Sequence, residues 1–240
     1  MIKTYEFYTE YNQIHKYIRT YDGYKETSYK VYRNGELQTE KKNYSYNGLN
    51  ASWDHYYYGD TVCEHVETEY LDETFLRIKY QRYSLHSSTS EFHFEYDGKK
   101  VIGYKYFKNG ILIREGYDYN YDGLHCTYTI THYTSSIPGA VREEYSYNVV
   151  YLDDTYLREK SRKRTRVVFY ENGASRTTTD FTANDYDDKK PIGSTNYRDG
   201  LLSSVSRDYH YDGLTCYYYR DIYRVGEVYS TDAYEVEYLE

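Results

Sequence analysis

Apolar and polar residues alternate one by one along much of the chain, as in Tyr44-Ser45-Tyr46 and Leu124-His125-Cys126-Thr127-Tyr128, and Val, Ile, Thr and Tyr are enriched in these runs. A period of two sends successive side chains to opposite sides of an extended backbone, so the pattern predicts strands and no helices. The runs are broken by nine Asn-Gly or Asp-Gly pairs: Asp22-Gly23, Asn34-Gly35, Asn47-Gly48, Asp97-Gly98, Asn109-Gly110, Asp122-Gly123, Asn172-Gly173, Asp199-Gly200 and Asp212-Gly213. Such pairs mark tight hairpins, because a type I′ turn needs positive φ at both central residues. The steps from Gly23 to Gly35 to Gly48 are 12 and 13 residues; they recur from Gly98, and again from Asp188, where the glycine is replaced. Each step holds one strand of about 10 residues and a two-residue turn.

The spacing exposes a long internal repeat. Tyr44-Ser45-Tyr46-Asn47-Gly48-Leu49 returns as Tyr119-Asn120-Tyr121-Asp122-Gly123-Leu124 and as Tyr209-His210-Tyr211-Asp212-Gly213-Leu214. A second marker, Tyr70-Leu71-Asp72, returns as Tyr151-Leu152-Asp153 and as Tyr238-Leu239-Glu240. The chain therefore divides into units 1–72, 73–153 and 154–240. With weaker turns near Asn12, Gly59, Ser87, Pro138 and Gly226, each unit has about six strands, giving about 18 in one continuous domain. The predicted fold is all-β: an elongated, twisted antiparallel β-meander, since open sheets beyond about 10 strands curl or split. After the shared Gly-Leu, one parity reads Ala51 and Trp53, Cys126 and Tyr128, Cys216 and Tyr218. Small then large describes a packed column, and the opposite parity, Asn50, Ser52, Asp54 and their equivalents, is wetter. One face is expected to be apolar and the other aromatic and polar.

Composition sharpens this picture. Leu, Ile, Val and Phe make 44 of 240 residues, yet 40 are Tyr. A ring that buries about 150–250 Å² but keeps a hydroxyl in need of a partner builds a core only where its edge reaches water, so a thin, two-faced architecture follows. The net charge of −8 argues against nucleic acid as partner, and no apolar run approaches the ~20 residues of a helical membrane span. A closed membrane barrel shares the even strand number, but Lys160 to Arg166 carries charge on both parities, where lipid does not accept it. The start, Met1-Ile2-Lys3-Thr4-Tyr5-Glu6, lacks the cationic and apolar segments of a secretory leader. With three cysteines, Cys63, Cys126 and Cys216, the expected location is the cytoplasm or a particle assembled there.

The segment from Gly103 through Tyr104, Tyr106, Phe107, Asn109-Gly110, Ile111, Ile113 and Gly116 resembles the MORN-type repeat in its bacterial and viral variant. Gly193 through Tyr197, Gly200 and Leu202 repeat the pattern, and Tyr32, Gly35 and Leu37 keep part of it. The resemblance implies an extended β-meander serving as scaffold or interaction surface, with no catalytic residues to transfer. The chain departs from the family pattern in its missing Trp and Gly, its Tyr content and the inserted stretch from Ser135 to Ala140.

Candidate partner-binding residues are the tyrosine clusters and the cationic run: Trp53, Tyr56, Tyr58, Tyr133, Tyr217, Tyr219, Tyr223, Arg162, Lys163 and Arg164. Clustered rings offer contact area at low entropic cost, although cross-strand ladders explain them as well. The run from Lys160 to Arg166 suits phosphate, an acidic protein or nucleic acid, or else, in a chain acidic overall, an edge strand guarded by charge. Asp153-Asp154 and Asp187-Asp188 fall at hairpin ends, where turn chemistry accounts for them. Cys63-x-His65 has no second pair at ligand spacing, so no metal or cofactor is expected. The reading is a non-enzymatic scaffold meeting a protein partner or its own copies by sheet edge or aromatic face; the alternative is a glycan-binding module.

Overall fold

The computed structural model describes residues 2–10, 13–58, 62–133, 137, 140–188, 190–224 and 226–237, without the side chains of 2–10, 13, 62 and 237. The strands are β1 (Ile2–Glu10), β2 (Gln13–Asp22), β3 (Lys25–Arg33), β4 (Glu36–Asn47), β5 (Asn50–Tyr57) and β6 (Val62–Tyr70). They continue as β7 (Ile78–Leu85), β8 (Ser88–Asp97), β9 (Lys100–Lys108), β10 (Ile111–Asp122), β11 (His125–His132) and β12 (Ala140–Tyr151). The last six are β13 (Glu159–Tyr170), β14 (Ser175–Asp187), β15 (Lys190–Arg198), β16 (Leu201–Asp212), β17 (Thr215–Arg224) and β18 (Glu227–Glu237). No helix occurs among the described residues. The protein is an all-β antiparallel meander of 18 strands, each paired with the next along the chain. β1 also pairs with β18 at Glu6 with Val236, Phe7 with Glu235 and Tyr8 with Tyr234. Its backbone is therefore covered on both sides there, β2 lying on the other.

Eight of the nine Gly dipeptides close two-residue hairpin loops, by two mechanisms rather than one. Asn34-Gly35, Asn109-Gly110 and Asp199-Gly200 hold positive φ at both residues, the type I′ requirement. At Gly23, Gly48, Gly98, Gly123 and Gly213 only the glycine is positive, because the Asp or Asn already ends the strand and Gly takes the first central position, as in type II′. Gly173 closes a longer loop, from Glu171 to Ala174. The turns expected near Asn12, Gly59 and Pro138 lie outside the described residues, as does Tyr238-Leu239-Glu240.

Equivalent positions of the repeat fold alike. Just before the Tyr-x-Tyr block, Asn43, Asp118 and Asp208 hold φ of 58°, 57° and 57°. For the first two the ladder is seen to shift register, a β-bulge between Lys42 and Ser45 and between Tyr117 and Asn120. Asn and Asp are the side chains that enter this left-handed region most readily after glycine. After Tyr70 and Tyr151 the chain makes the same loop twice. Asp72 and Asp153 each accept the N–H two residues on, from Thr74 and Thr155, at 3.0 Å, while Arg77 and Arg158 reach the same carboxylates at 3.0 and 3.4 Å. Phe75 and Tyr156 hold φ of 55° and 54°, which brings each ring edge-on to two others: Phe75 to Tyr46 and Tyr70, Tyr156 to Tyr121 and Tyr151. Asp153 thus serves the turn, as its position at a hairpin end implies, and Asp188 likewise sits in a turn with φ of 53°.

The strands group into two compact units. One is Met1–Glu91 with Asp208–Arg220 and Thr231–Glu240; the other is Phe92–Arg207 with Asp221–Ser230. In the first, Ala51, Trp53 and Val66 are buried together against Tyr44, Tyr46, Tyr70 and Tyr83. In the second, Cys126, Val149 and Val168 are buried. The three cysteines are free thiols, Cys126 and Cys216 filling the column that Ala51 fills in the first repeat.

Candidate interaction surface

Register defines two faces in the second unit, and one of them carries a continuous row of functional groups. Tyr128 of β11 lies opposite Tyr147 of β12, which lies opposite Arg164 of β13, then Asp180 of β14 and Arg198 of β15. The next row runs Ile130, Tyr145, Arg166, Thr178, and the one beyond it His132, Glu143, Val168, Arg176. The bulge at Asp118 sets Tyr119 against Tyr128, so three rings stack: Tyr119 on Tyr128 at 4.8 Å and 7°, Tyr128 on Tyr147 at 4.6 Å and 8°. The first unit builds the same ladder from Tyr209, Tyr218 and Tyr234, at 4.5 Å and 2° and at 4.6 Å and 3°. In the first repeat the ladder is Tyr44 on Trp53 at 5.6 Å.

This face is not simply apolar, as the composition of its packed column suggests. Beyond the ladder it is a comb of paired charges. Arg166 donates from Nε and Nη2 to Glu143 at 3.0 and 2.7 Å, and Glu143 is 3% exposed. Arg164 and Arg198 donate from Nε to opposite oxygens of Asp180, both at 3.1 Å. Burial works to raise the Asp180 carboxyl, but the two guanidiniums overcome it and hold the group below its ordinary range. Burial, then the neighbouring Arg114, lowers the His132 imidazole to about 4. Burial drives the phenols of Tyr119 and Tyr128 upward, and burial with the hydrogen bond to Glu143 pushes Tyr145 up to about 12. The phenols thus stay protonated donors and His132 stays neutral at pH 7.

A cavity of about 420 Å³ opens on the ladder, lined by Tyr119, Tyr128, Tyr147, Arg114 and His132 among others. A second, of about 340 Å³, lies beyond it among Arg164, Arg166, Arg176 and Arg198.

The ten residues singled out from the sequence do not form one site. Trp53 is buried, 6% exposed, under Tyr44. Arg162 and Arg164 share the ladder face, whereas Lys163 alternates to the opposite one, across from Asn148 and Phe181. β13 is no edge strand, as the guarded-edge reading had it; it pairs with β12 and β14 along its length, and Arg164 and Arg166 serve as cross-strand partners of acids. Tyr58 and Tyr133 turn their hydroxyls to Glu40, at 2.7 Å, and to Glu115. Tyr56 faces Cys63 across the β5–β6 pair, and Tyr223 is half-buried. Tyr217 and Tyr219, 40% and 47% exposed, present rings on the side of β17 opposite Cys216 and Tyr218. Sequence reasoning missed Glu143 and Asp180 as the partners of the cationic run, and Arg198 as the second arginine on Asp180. Their only signal is cross-strand register, which the sequence gives strand by strand but not between strands.

No family model matches the chain, and no curated protein matches it. Six solved chains do. Among them is a porin-like protein from Bacteroides uniformis ATCC 8492, 10% identical over 99% of this chain and 94% of that one, with a TM-score of 0.49.

Proposed function

We propose that this chain is a non-enzymatic structural or interaction protein that meets copies of itself or a protein partner through exposed aromatic and charged groups of its strands. The carrying observation is the outer side of β17, where the Tyr217 and Tyr219 rings are 40% and 47% exposed. Exposed Tyr217 and Tyr219 supply rigid, amphipathic contact area of the kind enriched in interfaces. The sheet-edge route to assembly has little support where β1 and β18 cover each other. The glycan alternative draws little from the ladders, because rings stacked at 4.5–4.8 Å cover both faces of the middle ring and one face of each outer ring. Charge on both faces, with Arg164 and Asp180 on one and Lys163 and Glu144 on the other, supports work in water rather than against lipid. The MORN-type resemblance and a cytoplasmic or particle-bound location belong to the same proposal.

Light scattering on a size-exclusion column tests it. The expected mass exceeds 29.0 kDa and rises with concentration, and replacing Tyr217 and Tyr219 by Ser returns it to the monomer value. A monomer at every concentration that also retains no protein when immobilised removes the reading.

A further inference from the structure

We propose that the arginine-lined cavity of about 340 Å³ between β13, β14 and β15 binds a small phosphate-bearing anion. Four guanidiniums, from Arg164, Arg166, Arg176 and Arg198, meet two carboxylates in its wall, Asp180 and Asp199. Counting Glu143, which holds Arg166, four cations stand against three anions in a chain whose net charge is −8. The surplus has a definite address. Arg176 is exposed at the cavity and finds no partner among the described residues, while Asp199 is engaged by the Thr179 N–H at 2.7 Å.

The other three arginines are already oriented. Asp180 takes the Nε–H of both Arg164 and Arg198, and Glu143 takes Nε–H and an Nη2 proton from Arg166. Much of the side-chain entropy that a ligand would otherwise have to remove is thereby gone before it arrives. The terminal N–H groups of Arg198, 72% exposed, remain open in the wall of the cavity that Arg176 also lines. The Thr178 hydroxyl, opposite Arg166 in register and two residues from Arg176 on the same face, adds a donor of the kind phosphate oxygens accept. A planar guanidinium fork matches two phosphate oxygens at once, which a lysine ammonium cannot do. The cavity's size selects a small anion. The opposite face of β13 offers the exposed Lys163 with no comparable gathering of arginines.

Titration calorimetry with inorganic pyrophosphate, and orthophosphate in parallel, tests the site at two salt concentrations. The expected result is saturable one-site binding of pyrophosphate that weakens as salt rises. Arg176→Gln and Arg198→Gln each weaken it about tenfold or more, as the loss of a charge-assisted contact implies, with unfolding midpoints unchanged. Lys163→Gln removes the same charge from the opposite face and leaves the affinity within about twofold. Heats that never saturate, or equal weakening by Lys163→Gln and Arg176→Gln, overturn the site in favour of diffuse attraction to charge. None of these variants touches Tyr217 or Tyr219, so failure here leaves the assembly reading standing.

Discussion

Tyr128 is the middle ring of a three-ring stack, and Tyr128→Leu tests whether such ladders hold the sheet together. Leucine keeps most of the apolar volume and removes both ring contacts, to Tyr119 at 4.8 Å and to Tyr147 at 4.6 Å. An aromatic pair contributes about 0.5–1.5 kcal/mol beyond its area burial, so two pairs amount to about 1–3 kcal/mol. For a chain of this length about 2 kcal/mol lowers the melting midpoint by about 4–8 °C. Urea unfolding and thermal unfolding measure both quantities. Ser146→Ala, on the opposite face of β12, serves as control and is expected within about 0.5 kcal/mol of the parent. A double-mutant cycle with Tyr147→Leu isolates one contact and is expected to return a coupling of about 0.5–1.5 kcal/mol. The repeat supplies its own replicate, since Tyr218 sits between Tyr209 and Tyr234 in the same way. If Tyr128→Leu costs no more than Ser146→Ala, or the coupling vanishes, the rings are passengers and the account of the core fails.

Three further outcomes follow from the same face. His132 is held near 4, below its ordinary 6.5, so as pH falls the unfolded chain takes the proton first; its stabilising contribution is full above pH 6.5 and disappears toward pH 4. The full difference corresponds to about 3.4 kcal/mol, and partial solvation reduces it to about 1–2 kcal/mol, which unfolding curves at pH 7 and pH 4 reveal as a loss absent from His132→Gln. Arg166→Leu takes from the buried Glu143 its guanidinium partner while leaving the Tyr145 hydroxyl on it, and is expected to cost about 3 kcal/mol in urea unfolding, more than Arg162→Leu, whose pair with Glu159 lies 44% and 29% exposed; equal costs refute the burial argument. Asp118→Val forces a β-branched side chain into φ of 57° and is expected to cost about 1–3 kcal/mol, whereas Asp118→Gly is near neutral; the reverse order in a melting series counts against the bulge.

The strands and their turns were legible because one dipeptide fixes each reversal and one parity fixes each face. Asp22-Gly23 and Asn34-Gly35 read alike in sequence and both close hairpins, yet one uses Gly alone and the other uses both residues, a difference of where the strand ends. The packed column was legible too, since Ala51, Cys126 and Cys216 are all buried. The bulges at Asn43, Asp118 and Asp208 were not. Asn or Asp before Tyr-x-Tyr is an ordinary surface choice, and only its repetition three times hints at a left-handed backbone. The cationic run was visible, but its meaning depends on Glu143 and Asp180, which lie 23 and 16 residues away and meet it only through pairing register. Phe75 and Tyr156 carry no local signal of their positive φ, since bulky aromatic residues seldom enter that region.

The pairing of β1 with β18 sets an order of events. It joins Glu6 to Val236, residues 230 apart, while every other pairing joins neighbours along the chain. Closing so long a loop in a flexible chain costs about 2.6 kcal/mol more than closing a hairpin of about a dozen residues. Local hairpins therefore zip first and this seam last, once the strands between have brought its two halves within reach. As the last piece of the sheet to close, it is also where the protein first comes open when heated.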